Sequence, residues 1–549
     1  MAESGTGPSE SSGTKRPWTT LLSTLLAAAL LCMAALWNGQ PFFYPDTPTY
    51  LRGAEMGVAR VVSPGSLKPW TPPEASSEAQ TSAPLPKPPA VQRLTSVEDK
   101  VVLAGRSVYY GALLYLSYLT GPGSSLWLAV WVQALCLAYL LQLAMVRVWG
   151  ASNAQLLGAT AALSLVTPMA VYTGFLMPDI FAAMLIVSVA LLSTAWERLR
   201  AADRWALSGL LLYALMTHAS HVVIAAVLLA LLLLARWLWP AWRPNSHAGS
   251  HAGAGKALGV LAACLVLAVV AEAAFVKAVT QAVGTPPLRL PHPMARLIDA
   301  GPGTDFLKNN CPQANYAACA FVQNYPTAWT DFLFSSDRAK GAFAVADPAT
   351  KRRLSDEQLR FVWDVTRADP LGVARVVGLD VLRQLGRFDT DIWSYGRDGV
   401  AQFYQGRVPP EALTQMQASR AARTTAYNIW FSLSNRIAVM AALVLLALAW
   451  FKQQQLFERS RFPAFASVVL AGVVINAAVC AGLASSMDRF QARVIWLLPF
   501  LAITGVLAWR EQQRAVQVVS AQSEPGNPRP DPTADPKRSL ASPLLGATP

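Results

Sequence analysis

Charge is scarce in this sequence. Only 14% of its 549 residues are Asp, Glu, Lys or Arg, against about 25% in a soluble globular domain. A water-soluble fold of this length cannot cover its surface with so few charges, and 53% apolar residues are too many for a disordered chain. Cysteine is scarce too, with six residues. That excludes a disulfide-stapled scaffold, and no CxxC or Cys/His zinc spacing occurs. Acidic residues are fewer than basic ones, 32 against 45, for a net charge of +13. In so apolar a chain a basic surplus sets membrane topology and does not imply a nucleic-acid partner. A mean hydropathy of +0.34 and 18 Trp, suited to interfacial belts, complete the picture of a polytopic membrane protein.

A bilayer-spanning helix needs about 20 apolar residues. Ten stretches qualify: roughly 18–38, 124–148, 154–176, 179–196, 205–217, 219–239, 257–282, 427–451, 463–485 and 493–509. The division between 205–217 and 219–239 is the least marked. The run 107–121 (SVYYGALLYLSYLTG) is apolar but short and reads as an interfacial or re-entrant helix. The fold class expected is all-α: about ten transmembrane helices, interfacial helices after the first span, and one mainly helical extracytoplasmic domain.

Basic residues in short loops orient the spans. Lys15, Arg16, Arg147, Arg198, Arg200, Arg204, Arg236, Arg243, Lys256, Lys452, Arg459, Arg461, Arg510 and Arg514 fall on one side, while the loops near 177–178 and 217–222 carry neither Lys nor Arg. Both termini are therefore expected in the cytoplasm, with the first span as a signal anchor. The Ala-rich composition and short loops suggest a bacterial inner membrane. The expected organisation is a cytoplasmic N-tail 1–17, an N-terminal membrane module 18–284 with an extracytoplasmic loop 39–106, an extracytoplasmic domain 285–426, C-terminal membrane helices 427–511, and a disordered tail 512–549. Flexible stretches are also expected at 63–90 and 244–256, the latter carrying two linker histidines. Residues 351–388 read as amphipathic helices broken near Asp369–Pro370. Cys311 and Cys319 (CPQANYAAC) sit in this domain and could pair, as an oxidising exterior would allow. Cys32, Cys136, Cys264 and Cys480 lie in apolar runs and behave as small hydrophobes.

Charges placed at the outer membrane face are few, and so informative. Asp46 (FFYPDTPTYLRG) follows the first span and is held between Pro45 and Pro48; the plain alternative is an Asx-turn. Asp179 (GFLMPDIF) opens the fourth span, where a helix cap is the plain alternative. Arg489 and Arg493 (SSMDRFQARVIWLLPF) are four apart and share a helical face. A guanidinium fork suits phosphate; snorkelling or pairing with Asp488 are the alternatives. His218 and His221 (THASH) read as interfacial hydrogen-bonding residues, with His221 also a candidate for a polar substrate. Glu272, with Lys277 nearby, reads as a helix–helix polar contact or a substrate-pathway residue. Tyr109 and Tyr110 sit on the interfacial helix, where aromatics anchor to headgroups.

Taken together, YPDTPTY after the first span, the small-x-Tyr-Tyr interfacial helix SVYYGALLYLSYLTG, MPDI at the next external turn and DRFQARVIWLLP opening a late span resemble the GT-C superfamily of integral-membrane glycosyltransferases, which includes protein mannosyltransferases and aminoarabinose transferases. The order covers residues 17–200 and, more loosely, 486–509. It departs from the family in placing its large external segment before, not after, the last spans. The resemblance implies a polyprenyl-phosphate-linked sugar donor within membrane lipid, with Asp46 as the catalytic base. Asp179 would orient the acceptor, assist Asp46 or hold a divalent metal (Mg or Mn). Arg489 and Arg493 would bind the donor phosphate, with Tyr50, Tyr109, Tyr110 and His221 as further substrate-binding candidates. Two other readings keep the same span count. A transporter or lipid-linked-glycan flippase would use Glu272 and Lys277, and an O-antigen polymerase or ligase would use Arg296, Arg338 or Arg352.

Overall fold

A bilayer offers no partner for a backbone amide, so a chain this apolar must satisfy its N–H and C=O groups within helices. The computed structural model describes residues 17–60, 62, 67–71, 102–104, 106–238, 250–390, 397–458 and 460–522. Its helices are α1 (Pro17–Leu31), α2 (Met33–Asn38), α3 (Thr47–Val58), α4 (Val108–Thr120), α5 (Trp127–Gln142), α6 (Asn153–Val166), α7 (Met169–Thr173), α8 (Ile180–Ala195), α9 (Ala201–Thr217), α10 (Ala219–Leu238) and α11 (Ser250–Val283). There follow α12 (His292–Ala300), α13 (Pro302–Asn310), α14 (Trp329–Phe334), α15 (Pro348–Ala368), α16 (Pro370–Gly386), α17 (Arg397–Tyr404) and α18 (Pro410–Ala418). The last four are α19 (Ala426–Glu458), α20 (Phe462–Leu483), α21 (Asp488–Ile495) and α22 (Leu497–Gln522). Strands are absent among the described residues apart from two isolated bridges.

Among the described residues, seven stretches are long and apolar enough to cross a membrane: Trp127–Val148, Ile180–Arg198, Ala219–Leu238, Gly253–Val283, Asn428–Phe451, Phe462–Leu483 and Asp488–Arg514. This marks a multi-pass membrane protein. Lipid-facing surfaces are apparent on α11 and α19, where Val266, Val269, Leu433 and Met440 are exposed.

The other three expected spans are not among these, and their bounds differ from the expected ones for local reasons. The first is interrupted at Cys32, and α2 stops at Gly39, which caps it in the left-handed conformation (φ 86°). The stretch 154–176 breaks at Thr167–Pro168, because the residue before proline is driven to extended backbone (Thr167 φ −127°, ψ 163°). The stretch 205–217 starts earlier, at Ala201, where buried Asp203 accepts from the Arg200 amide at 3.0 Å. It ends at His218, whose extended backbone divides α9 from α10.

Two expected loops are partly helical: α11 begins at Ser250, inside 244–256, and α22 runs on to Gln522, inside the expected tail. Most of 63–90 lies outside the described residues. The break at Asp369–Pro370 is present, with the Asp369 carboxylate capping α16 through the Gly372 amide. The Cys311–Cys319 disulfide is formed.

Residues 288–365 build their own small core around Phe332, Phe343 and Phe361, whereas Val400, Tyr404 and Met416 of α17 and α18 pack into the membrane-helix core. Glu272 does not make the expected buried helix–helix contact. It sits at the exposed flank of α11 and pairs with Arg289 at 3.3 Å.

Beneath Asp46, α3 lies against α4 at Gly111, where an added Cβ would come within 2.3 Å of the Tyr50 carbonyl oxygen. Gly111→Val should therefore push the two helices apart, at about 1–3 kcal/mol or more. Thermal unfolding in detergent should show a lower midpoint, while Gly158→Ala, which meets nothing within 4 Å, should not.

Candidate functional site

The site is assembled by backbone pairing between loops. The Phe42 amide donates to the Gly174 carbonyl and the Leu176 amide to the Phe42 carbonyl, both at 2.9 Å. This bridge fixes the loop before Asp46 beside the loop before Asp179. Thr47 closes it, donating to the Leu176 carbonyl at 3.0 Å and accepting from the Tyr44 amide at 2.9 Å. From below, the Gln133 amide donates to the carbonyls of Thr173 (2.8 Å) and Phe175 (3.1 Å) and accepts from the Tyr110 hydroxyl at 2.9 Å. Gly174 permits the approach, since a Cβ there would meet that of Ala35 at 2.8 Å.

Asp179 is 1% exposed and its carboxylate does not cap α8. It accepts instead from Arg489, Nε at 3.2 Å and Nη2 at 3.4 Å, a forked contact across 310 residues of sequence. Arg493 Nη1 stands 3.7 Å from the same carboxylate. The face shared by the two arginines is thus turned inward. Asp488, an alternative partner for them, is taken by Arg387 at 2.9 Å. Arg493 spends its other donors on Asn476 Oδ1 (2.8 Å and 3.2 Å) and Ser220 Oγ (3.4 Å). Arg489 lies 4.1 Å above the Tyr44 ring.

Asp46 stands at the head of α3, and its side chain makes no cap bond. It pairs with Arg106 at 2.6 Å, each side chain 24% exposed. Buried Tyr50 lies within electrostatic reach of Arg106, Asp46, Asp179 and Arg489, which brings both carboxylates and these two arginines to one locus. Its hydroxyl has no partner, and neither does Nε2 of fully buried His221. His221 Nδ1 is engaged by the Ala214 carbonyl at 2.8 Å. Tyr110 stacks edge-on against Tyr50 with ring centres 5.2 Å apart, whereas Tyr109 points away and donates to the Ala271 carbonyl at 2.8 Å. Tyr110 is therefore a support for Tyr50, and Tyr109 a helix contact.

Two residues here escaped the sequence reading as site members. Arg106 could have been found as the basic residue directly preceding the interfacial helix 107–121. His292 carried no signal. It arrives through a second bridge, Ala104 amide to Leu288 carbonyl (2.8 Å) and Leu288 amide to Val102 carbonyl (2.7 Å), which ties the start of α12 to the Arg106 loop. Its Nδ1 is buried without a partner, beside Trp329 and Phe334. Burial, reinforced by the Arg106 charge and opposed by Asp46, pushes its pKa down to about 4. Arg296, by contrast, is engaged by Asp380 and Asp299, Arg338 is exposed, and Arg352 donates to the Pro286 carbonyl at 3.2 Å.

A divalent metal does not fit the donor set: both carboxylates face guanidinium groups, and no cluster of three His, Cys, Asp or Glu suited to a metal occurs among the described residues.

The two acid–arginine pairs differ in burial, and so in the outcome of breaking them. Asp179→Asn strands two buried guanidiniums and should cost about 3–5 kcal/mol, read as lost monomer yield or a lower unfolding midpoint. Asp46→Asn should cost at most about 1 kcal/mol. For His292 the folded pKa lies below the ordinary 6.5, so its contribution to stability is complete above pH 6.5 and is lost as pH falls toward 4. His292→Phe should flatten that acid limb in pH-dependent unfolding. Compared with known proteins, the chain matches no family model, no curated protein and no solved structure.

Proposed function

We propose that the protein is a membrane glycosyltransferase that moves a sugar from a polyprenyl-phosphate donor to an acceptor at the extracytoplasmic face. The observation that carries this reading is the convergence of Asp46, Asp179 and Arg489 around Tyr50, with Arg493 on the same Asp179 carboxylate. Acids from the first half of the chain and arginines from its end meet at one locus, as the GT-C resemblance implies.

Sidedness is supported in two ways. The site lies at the start of α8, and the other end of that span carries Arg198, paired with Glu511 at 2.8 Å; the basic collar and the site are at opposite ends of one membrane helix. The Cys311–Cys319 disulfide suits an oxidising exterior for residues 285–426. In this reading both termini are cytoplasmic, and α3 and α4 lie at the outer membrane surface.

The chemistry follows from the charges. The acceptor oxygen attacks the anomeric carbon while the bond from that carbon to the phosphate oxygen breaks. Asp46 takes the acceptor's proton, and the electron pair of the broken bond goes to the phosphate, whose growing charge is met by Arg489 and Arg493. A single displacement inverts the sugar carbon. Arg106 holds Asp46 until the acceptor hydroxyl competes for the carboxylate. The unpartnered Tyr50 hydroxyl and His221 Nε2 are polar groups without protein partners, as expected where substrate hydroxyls supply them. Neither Glu272, paired at the flank of α11, nor Arg296, committed to Asp380, offers a comparable cluster for transport or polymerisation.

Asp46→Asn, reconstituted in proteoliposomes with a labelled polyprenyl-phosphate sugar, should reduce transfer about 10²–10⁴-fold with insertion and unfolding midpoint nearly unchanged. Near-normal transfer by that variant would remove Asp46 as the base.

A further inference from the structure

Helix α16 buries two polar side chains and exposes three leucines. In water an amphipathic helix buries its apolar stripe and exposes its polar one. Here the fully buried side chains are Asp380 (4% exposed) and Gln384 (0%), set among the half-buried Val373, Val377 and Val381, while Leu371 (82%), Leu382 (67%) and Leu379 (42%) are exposed. The positions 371, 374, 375, 378, 379, 382, 383 and 386 are all exposed, and at 100° per residue they occupy one continuous half of the helix. Arg375 and Arg383 are interleaved with the leucines on that half.

The packed side is anchored to the membrane helices. The Gln384 side-chain amide donates to the Met487 carbonyl at 2.7 Å and accepts from the Met487 amide at 2.8 Å. Arg387 pairs with Asp488, and Val377 rests against Gly482 in the last turn of α20. Asp380 is met by Arg296 and Arg383. Helix α16 thus packs on α20, a helix long and apolar enough to cross a membrane and with Val474 and Leu483 uncovered, at the end of the bundle that holds Arg489.

We infer that the exposed half of α16 lies in the bilayer interface, its leucines in the acyl boundary and Arg375 and Arg383 on lipid phosphates, with anionic headgroups preferred. An apolar face strung with arginines fits this boundary better than it fits water or the hydrocarbon centre: the guanidinium stems lie along the apolar surface while their heads reach phosphate, and anionic lipid adds attraction for each charge near the surface. The inference does not depend on the catalytic reading.

The test is a bimane fluorophore on Leu379→Cys or Leu382→Cys of the full chain, with Lys308→Cys, at an exposed position of α13, as reference. Cys32, Cys264 and Cys480 are buried and Cys136 partly so, and the unsubstituted protein gives the background. The vesicles are phosphatidylcholine, with or without one quarter phosphatidylglycerol, carrying bromines at the headgroup end of the acyl chain. Quenching by bromolipid at 379 and 382 should be several-fold greater than at 308. It should rise with phosphatidylglycerol, and that rise should be lost in Arg375→Gln/Arg383→Gln. Quenching of 379 by aqueous iodide to the level of 308, without bromolipid quenching, would mean a water-facing helix and overturn the inference. Insensitivity to both quenchers would mean that protein, a second copy or another segment of this chain, covers the face, and would overturn it equally. Indifference to phosphatidylglycerol would overturn the preference for anionic headgroups.

Discussion

Everything at the centre of this protein is arranged around one expensive group, the carboxylate of Asp179. A lone buried carboxylate in so apolar a core is untenable. Two guanidiniums neutralise it, and each then needs its own remaining donors satisfied. Asn476 and Ser220 serve Arg493, and the Tyr44 ring covers Arg489. The Tyr172 hydroxyl holds the backbone of Arg489 at 3.2 Å, and Asn476 donates to the Phe490 carbonyl at 2.7 Å. Five separate segments are thereby bound to the requirements of a single charge. Such a network specifies one arrangement of helices more strictly than apolar packing would, while leaving the more exposed Asp46–Arg106 pair free to exchange partners.

Two short parallel bridges supply the geometry. Each joins extended residues of two loops, and each delivers side chains just downstream: Asp46 and Asp179 lie four residues after Phe42 and Phe175, and Arg106 and His292 lie three and four after Leu103 and Leu288. Backbone pairing of this kind sets the relative height of two loops without using side chains. The charged side chains are therefore left to pair with one another.

The parts of this arrangement that could be read from the residues are those in which rarity is itself a signal. A carboxylate or arginine within an apolar run is conspicuous, so Asp46, Asp179, Arg489 and Arg493 stood out, and Asp369–Pro370 broke its helix as backbone sterics require. Partner choice was another matter. Nothing local tells Asp488 to take Arg387 and leave Arg489 to Asp179, since that depends on which helices abut. His292 is invisible for the same reason: only the Leu103–Leu288 pairing brings it near Asp46. Hydropathy also counts residues without seeing hinges, so it ran the first and third spans through Cys32 and Thr167–Pro168, where the helices in fact end.

One modest contact has a mechanical consequence. The Asn38 side chain and carbonyl, at the end of α2, receive the Ala421 amide at 2.9 Å and the Arg420 amide at 3.2 Å. The long polar segment is thus stitched to the bundle where it leaves, at Leu288, and again where it returns, at Asn38. Between those two points Gln384 grips Met487 and Arg387 pairs with Asp488, so the segment's place on the membrane helices is set at both ends and along α16 as well.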